Sequence, residues 1–141
     1  MKMLVGIDGS KASVEAAKYA AKLARDCRSK SHITLISVHD DTALKHFKRY
    51  VPKGVINDYL RELCSQDLQK AQKQLDADNV AHDMIIEFGN ISETIADVAR
   101  KGNFDLIVLG AKGRTMIKEI VMGSVAMHVI ALATIPVTLV R

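Results

Sequence analysis

Residues 104–124 read FDLIVLGAKGRTMIKEIVMGS, and this stretch decides the fold. It opens with the apolar run 106–109, whose length and composition predict a buried parallel strand. Gly110 and Gly113 then break the run, and a helical pattern resumes at Ile117. Glycines after a strand let an anion approach bare backbone N–H groups, and a following helix start adds partial positive charge. The stretch therefore predicts a strand, a glycine turn and a helix that together bind phosphate.

A second glycine step extends this motif. Gly123 is followed by Ser124, which gives the spacing Gly110-x2-Gly113-x9-Gly123-Ser124. The pattern resembles the universal stress protein family, whose ATP-binding branch carries G-x2-G-x9-G-(S/T) after its fourth strand. The resemblance covers essentially the whole chain, residues 1–141. The alternative is that the first two glycines only turn the chain and Gly123 only allows close helix packing. No P-loop is present, since G-x4-G-K-(S/T) does not occur.

Length and composition favour a single globular domain over residues 1–141. A chain of 141 residues can fold around one core without disulfides or metal. Hydrophobic residues make up 48% and charged residues 26%, which argues against disorder. Cys27 and Cys64 form no C-x-x-C motif, and no signal peptide is apparent. We therefore expect a reducing cytoplasmic location, with both cysteines as small core residues on helices.

Apolar runs alternate with helical patterns along the chain. Ser10 is a candidate N-cap of the first helix, while Asn90 and Gly102 are candidates for the start and end of a later one. The polar stretch 39–54 has no clear period and is long for a connection. This alternation predicts an α/β fold: an open, Rossmann-like, five-stranded parallel sheet with helices on both faces. The predicted strands are 3–7, 33–38, 84–88, 106–109 and 137–140, and the second helix spans 56–75.

The resemblance implies the strand order 3-2-1-4-5 and hence the place of the site. Ligands of such sheets bind beyond the carboxyl ends of the strands, where the order reverses. The reversal then lies between strands one and four, so the turn 8–10 and the loop 110–113 are expected to face each other.

The resemblance also implies roles at the base and ribose. Asp8 matches the family's acidic position, which accepts a ribose hydroxyl or helps to hold a metal on the phosphates; its alternative is a turn or cap residue. The Val38 backbone matches the position that meets adenine. Gly6 and Ile7 are expected to line the same crevice, with a core role as the alternative for Ile7.

At the phosphates, the resemblance implies backbone donors and loop charge. The expected N–H donors are Gly113, Gly123, Ser124 and Val125, with Gly110 in the same loop. Lys112 and Arg114 would add positive charge, although solvated loop cations are the alternative. Ala126 departs from the family, where a second hydroxyl is common, so one phosphate contact is expected to be missing.

Charge patterning offers two other classes of partner. The net charge is +4, and cations and aromatics mix over 45–53, as in a single-strand nucleic-acid binder or simply a solvated loop. Residues 120–140 carry no formal charge and are long enough for a membrane helix, but Ser124, His128 and Pro136 interrupt them. We expect neither nucleic acid nor membrane as a partner, and a buried helix or a subunit contact instead.

Catalytic signatures are sparse. The five histidines show no H-E-x-x-H spacing, and G-x-S-x-G does not occur. The predicted function is adenine-nucleotide binding in a stress-response regulatory protein, without catalysis or with very slow ATP hydrolysis. The ligand is ATP, or ADP or AMP, with Mg²⁺ or Mn²⁺ as metal. The alternatives are an ATP-using hydrolase or transferase, and a ligand-free structural dimer.

Strand 137–140 is expected at a sheet edge and carries no lysine or proline. Relatives pair this strand antiparallel about a two-fold axis, so the resemblance implies a homodimer. The uncharged helix that precedes it suggests a further contact and a larger oligomer, or else a helix packed inside the subunit.

Overall fold

The computed structural model describes residues 1–27, 30–40, 52–112 and 122–141. The strands are β1 (Lys2–Gly6), β2 (His32–His39), β3 (His82–Phe88), β4 (Leu106–Gly110) and β5 (Val137–Val140). The helices are α1 (Lys11–Asp26), α2 (Lys53–Ala77), α3 (Ile91–Lys101) and α4 (Ser124–Leu132). The predicted elements that fall in this part of the chain are all present, with ends shifted by up to three residues. The helical pattern from Ile117 and most of the basic stretch 45–53 lie outside the described residues.

All strands of the sheet are parallel, and their order is β3-β2-β1-β4-β5. Val5 lies opposite Leu35 on one side and Val108 on the other, so apolar side chains form a continuous row across the sheet. This confirms the predicted α/β class and the strand order implied by the family resemblance. The order reverses between β1 and β4, which opens a crevice at the carboxyl ends of these strands.

Helices cover both faces of the sheet, as predicted. Because side chains alternate along a strand, Val5 and Leu35 face α1 and α2, while Leu4 and Ile36 face α3 and α4. The face of α1 in the core carries only small residues, which lets the helix lie close to the sheet: Ser13, Ala16, Ala17, Ala20 and Ala21. Each face therefore has its own fully buried apolar cluster.

The helix ends follow the capping residues. Ser10 accepts a hydrogen bond from the Ser13 N–H, and Asn90 accepts one from the Glu93 N–H, which confirms both predicted N-caps. Gly102 ends α3 as predicted, but its φ is −82°, and the left-handed residue is Asn103 at φ 50°. A Cβ at Gly102 would lie 2.5 Å from the Phe104 ring, so packing requires this glycine.

The two cysteines differ in their environment. Cys64 is fully buried in α2, as predicted. The expectation for Cys27 is wrong, because this residue is the half-buried C-cap beyond α1 and its N–H donates to the Leu23 carbonyl.

Among the helices of the described ranges, none combines the length and the apolar character needed to cross a membrane.

Candidate functional site

A crevice of about 320 Å³ lies where the strand order reverses. It is framed by the carboxyl ends of three adjacent strands, β2, β1 and β4, and by the first turn of α4. Its volume is typical of pockets for small molecules. The predicted site residues that line it are Gly6, Ile7, Asp8, Val38, Gly110, Lys112, Gly123, Ser124 and Val125. Gly113 and Arg114 lie outside the described residues.

The β1–α1 turn fixes a carboxylate at the centre of the crevice. The Asp8 Oδ1 atom accepts the Ser10 N–H at 3.0 Å, and Gly9 between them has φ 78°. The Ser10 hydroxyl in turn accepts the Ser13 N–H at 3.2 Å, and the Ser13 hydroxyl donates to the Ser10 carbonyl at 2.9 Å. Asp8 is therefore a turn residue and a crevice residue at once, because its local bond holds a carboxylate that lines the crevice.

Two of the predicted site glycines allow close packing around the crevice. A Cβ on Gly110 would lie 2.7 to 2.9 Å from the backbone and Cβ atoms of Ala12, so this glycine lets the first turn of α1 rest on the end of β4. A Cβ on Gly6 would lie 2.5 Å from the Leu109 Cδ2 atom, at the end of a side chain that can move. The packing of α1 on β4 therefore requires glycine at position 110, whether or not a ligand binds.

The end of β4 and the start of α4 are joined directly. The Gly123 N–H donates to the Ala111 carbonyl at 2.7 Å, and the Ala111 N–H donates to the Val140 carbonyl at 2.7 Å. The expectation that Gly123 gives its N–H to a phosphate is corrected on this point, because the N–H is used within the protein. Gly123 lines the crevice as the N-cap of α4, at φ −71° and ψ 151°.

The first turn of α4 offers the donors instead. Gly123 has no side chain, so it makes no capping hydrogen bond to the N–H groups that follow it. Ser124, Val125 and Ala126 line the crevice from this turn. Ala126, noted in the sequence only for its missing hydroxyl, is therefore also part of the site. The helix start suits an anion, because its N–H groups carry partial positive charge.

The β2 end of the crevice contains polar groups that sequence reasoning missed. His39 and Asp40 follow Val38 along the chain, and Asp67 reaches the crevice from α2. The His39 Nε2 atom lies 3.8 Å from the Asp67 Oδ2 atom, with the two side chains 23% and 8% exposed. One signal in the sequence could have indicated that Asp67 faces the core: it lies three residues after Cys64, beside the apolar stripe of α2.

The described residues do not form a metal site from protein side chains alone, because no three histidine, cysteine or acidic side chains converge among them. Mg²⁺ commonly takes one or two carboxylates and completes its shell with phosphate oxygens and water. Asp8, a single carboxylate that lines the crevice beside Gly110, fits that second arrangement.

A family model and curated relatives place the chain in the same protein family. The family model described as Universal stress protein family matches residues 1–141. Universal stress protein MJ0531 of Methanocaldococcus jannaschii is 32% identical, covering 99% of this chain and 81% of that protein. Universal stress protein YxiE of Bacillus subtilis is 31% identical, covering 99% of this chain and 98% of that protein.

Solved structures share the fold. The M. jannaschii protein MJ0577 superposes with a TM-score of 0.85 at 26% identity, covering 99% of this chain and 94% of that one. A universal stress protein from Archaeoglobus fulgidus in complex with dAMP gives a TM-score of 0.67 at 22% identity, with 100% and 98% coverage. An Arabidopsis thaliana family protein with AMP bound gives 0.67 at 18% identity, with 99% and 90% coverage.

Proposed function

Because the chain belongs to the universal stress protein family, we propose that it binds an adenine nucleotide in the crevice at the carboxyl ends of β2, β1 and β4. The observation that carries this proposal is the uncapped start of α4 at Gly123, which lines the same crevice as the Asp8 turn. Solved structures of the same fold that hold AMP or dAMP support the choice of nucleotide.

The length of the crevice suits a nucleotide that lies across the ends of the strands. Adjacent strands are about 4.8 Å apart, so the β4 and β2 ends are separated by roughly 10 Å. In our proposal the phosphates lie at the first turn of α4, near Ser124 and Lys112. The ribose lies over Asp8, and the base lies beside the Val38 backbone. This direction follows from the position of the anion-binding groups at one end of the crevice.

We further propose that ATP is the ligand, with ADP or AMP in the same place, and that the chain belongs to the ATP-binding branch. The motif residues Gly110, Gly123 and Ser124 support this assignment through their place at the phosphate end. A Mg²⁺ or Mn²⁺ ion held there would supply charge neutralisation at the phosphates. Asp8 would hold the metal, and its bond to the Ser10 N–H would keep the carboxylate in place.

The proposed role is regulatory, with little or no turnover. Among the described residues that line the crevice, Lys112 is the ionisable side chain at the phosphate end and Asp8 lies at the centre, whereas His39, Asp40 and Asp67 lie at the opposite end. A carboxylate engaged with a metal is a poor general base, so fast hydrolysis is not expected. A stress-related regulatory protein that binds nucleotide is therefore the proposed function, and its stress-related part is supported by membership of the universal stress protein family.

We also propose a homodimer through β5. This strand ends the sheet order, so its outer edge has no neighbouring strand among the described residues. The Ile107 N–H donates to the Pro136 carbonyl, and the Ala111 N–H donates to the Val140 carbonyl. Because bonding sides alternate along a strand, Val137 and Leu139 direct their backbone groups to the open edge. A second copy of β5 would satisfy these groups.

Exposed apolar side chains on α4 suggest a larger assembly. Met127, Ile130 and Leu132 are 52%, 45% and 48% exposed, whereas Ala126 and Val129 on the other side of the helix are buried. We propose that this surface makes a second contact between subunits.

Two measurements test the nucleotide proposal. Mass spectrometry of the small molecules released from purified, denatured protein should detect AMP, ADP or ATP. Calorimetric titration of nucleotide-free protein with each of the three should give a saturable 1:1 isotherm. A protein that releases no nucleotide and binds none at millimolar concentration would refute the proposal and favour the ligand-free structural dimer.

A further inference from the structure

The pair His39 and Asp67 lies in the crevice without a role in phosphate or ribose binding. His39 is the last residue of β2, and Asp67 lies near the middle of α2. Both side chains line the crevice at its β2 end, which in the proposed binding mode is the end that receives the base. The inference below rests on that proposed function.

Asp67 is an ionisable residue in a largely buried position. Its side chain is 8% exposed, and the apolar neighbours Leu68 and Ala71 follow it on the same helix. A buried carboxylate is costly unless a charge or hydrogen bonds compensate it. The imidazole of His39 lies 3.8 Å away and supplies one such partner. The sequence therefore keeps an acidic group at a place where an apolar side chain would be the ordinary choice.

The backbone of His39 is held at the end of β2. Its carbonyl accepts the Gly89 N–H at 3.0 Å, which holds the end of β2 to the end of β3. Since side chains alternate along a strand, His39 shares the α1/α2 face with Leu35, while Val38 lies on the opposite face near Ile91. The β2 end of the crevice thus has an apolar wall on the α3 side and a polar wall on the α2 side.

We propose that Asp67, positioned by His39, selects the nucleobase by accepting a hydrogen bond from the exocyclic amino group of adenine. A carboxylate accepts hydrogen bonds and does not donate them, so it favours an amino group and repels a carbonyl oxygen at the same position. Asp67 is the base-contacting residue in this scheme, and His39 is a positioning residue. Backbone groups at Val38 contact the base as well, and the variants below leave them unchanged.

The test compares two nucleotides that differ in the group at position 6 of the base and in the proton at the adjacent N1. AMP carries the amino group, and inosine 5′-monophosphate carries an oxygen in its place. We expect the wild type to bind AMP more tightly, and we expect Asp67→Asn to lower the ratio of the two affinities about tenfold, the typical weight of one hydrogen bond to a charged group. An asparagine can donate to the oxygen, so inosine 5′-monophosphate binding should improve while AMP binding weakens.

A matched control is present on the same helix. Asp76 also pairs with a histidine, His82, at 3.7 Å, but it is 60% exposed and does not line the crevice. Asp76→Asn should leave the affinity ratio unchanged. General damage to the fold would weaken both nucleotides together, so the ratio separates base selection from a structural role.

The second variant, His39→Gln, replaces the imidazole with an uncharged amide and retains a side-chain donor for Asp67. We expect it to lower the same ratio by a smaller factor than Asp67→Asn, because the carboxylate is held less firmly; it also serves where Asp67→Asn does not fold. An unchanged ratio in the variants that fold, with AMP still bound, would overturn base selection by Asp67 and leave nucleotide binding intact. Failure of the wild type to bind either nucleotide would overturn the proposed function itself.

Discussion

The N–H of Gly123 donates a 2.7 Å hydrogen bond to the carbonyl oxygen of Ala111. This bond brings the first turn of α4 to the end of β4, although eleven residues lie between Ala111 and Gly123 in the sequence. Because Gly123 has no side chain, it leaves the N–H groups after it without a side-chain cap, beside the crevice. The contact therefore assembles an anion-binding helix start beside the strand-order reversal.

Stability should distinguish the two packing glycines. A Cβ on Gly110 meets the Ala12 backbone at 2.7 and 2.9 Å, whereas a Cβ on Gly6 meets only the end of the Leu109 side chain. We expect Gly110→Ala to reduce the free energy of unfolding by about 3 kcal/mol and Gly6→Ala by about 1 kcal/mol, as for overpacked cores. Urea unfolding measures both. Equal losses in the two variants would contradict this account of Gly110.

The effect of Mg²⁺ on ATP binding should depend on Asp8. An asparagine at this position keeps the oxygen that accepts the Ser10 N–H, so the turn should survive in Asp8→Asn. In wild type we expect Mg²⁺ to tighten ATP binding about tenfold, which corresponds to roughly 1.4 kcal/mol. In Asp8→Asn most of this gain should be lost, while binding in EDTA changes little.

Titration calorimetry with Mg²⁺ or EDTA measures that gain. Asp97→Asn is the control, because Asp97 is exposed on α3 and bonds only Arg100 and Lys101 in the contacts described. A full Mg²⁺ effect in Asp8→Asn would show that Asp8 does not hold the metal.

Turnover of ATP should be slow. The described phosphate end of the crevice has no ionisable side chain placed as a general base besides Asp8. We expect a multiple-turnover rate well below about 1 s⁻¹, the lower end of the usual enzyme range. Release of phosphate from saturating Mg·ATP measures it. A rate of about 1 s⁻¹ or more, abolished in Asp8→Asn, would instead support the ATP-using hydrolase or transferase.

Dimerisation should depend on the outer edge of β5. Leu139 directs its N–H to that edge, so Leu139→Pro removes an outward donor and leaves the bonds between β5 and β4 in place. We expect this variant to be monomeric by light scattering. Leu139→Ala retains the N–H and should remain dimeric, although it loses side-chain packing in the core. A wild-type mass near 15.5 kDa would rule out the dimer.

Local signals in the sequence were sufficient for the elements and for part of the site. Buried strands such as β1 and β4 are apolar runs, and Ser10 and Asn90 mark helix starts because their side chains cap the backbone. The strand order came from the family resemblance, since alternation alone is compatible with several orders. The single-domain organisation over 1–141 and the cytoplasmic location stay predictions.

Tertiary contacts explain what the sequence did not predict. Asp67 lies 28 positions after His39, and their approach depends on which side of α2 faces the end of β2. The packing of Gly110 on Ala12 likewise joins β4 to α1, so the glycine motif alone did not reveal it. The use of the Gly123 N–H by Ala111 depends on where α4 begins in space.

Nucleotide binding at the start of α4 is the central claim, and Gly123→Val tests it most directly. At φ −71° and ψ 151° a valine fits the backbone, and the N–H that bonds Ala111 is retained. The valine would lose some capping stability, about 1 kcal/mol, while its side chain would occupy the phosphate end of the crevice. Gly54→Val is the matched control, because a Cβ on Gly54 meets nothing within 4 Å and Gly54 does not line the crevice.

The measurement is calorimetric titration of wild type, Gly123→Val and Gly54→Val with ATP, after circular dichroism has shown equal helical content. We expect wild type and Gly54→Val to bind ATP alike, and Gly123→Val to bind at least a hundredfold more weakly, a loss of about 2.7 kcal/mol or more. Undiminished ATP affinity in folded Gly123→Val would contradict the assignment of the phosphates to this helix start.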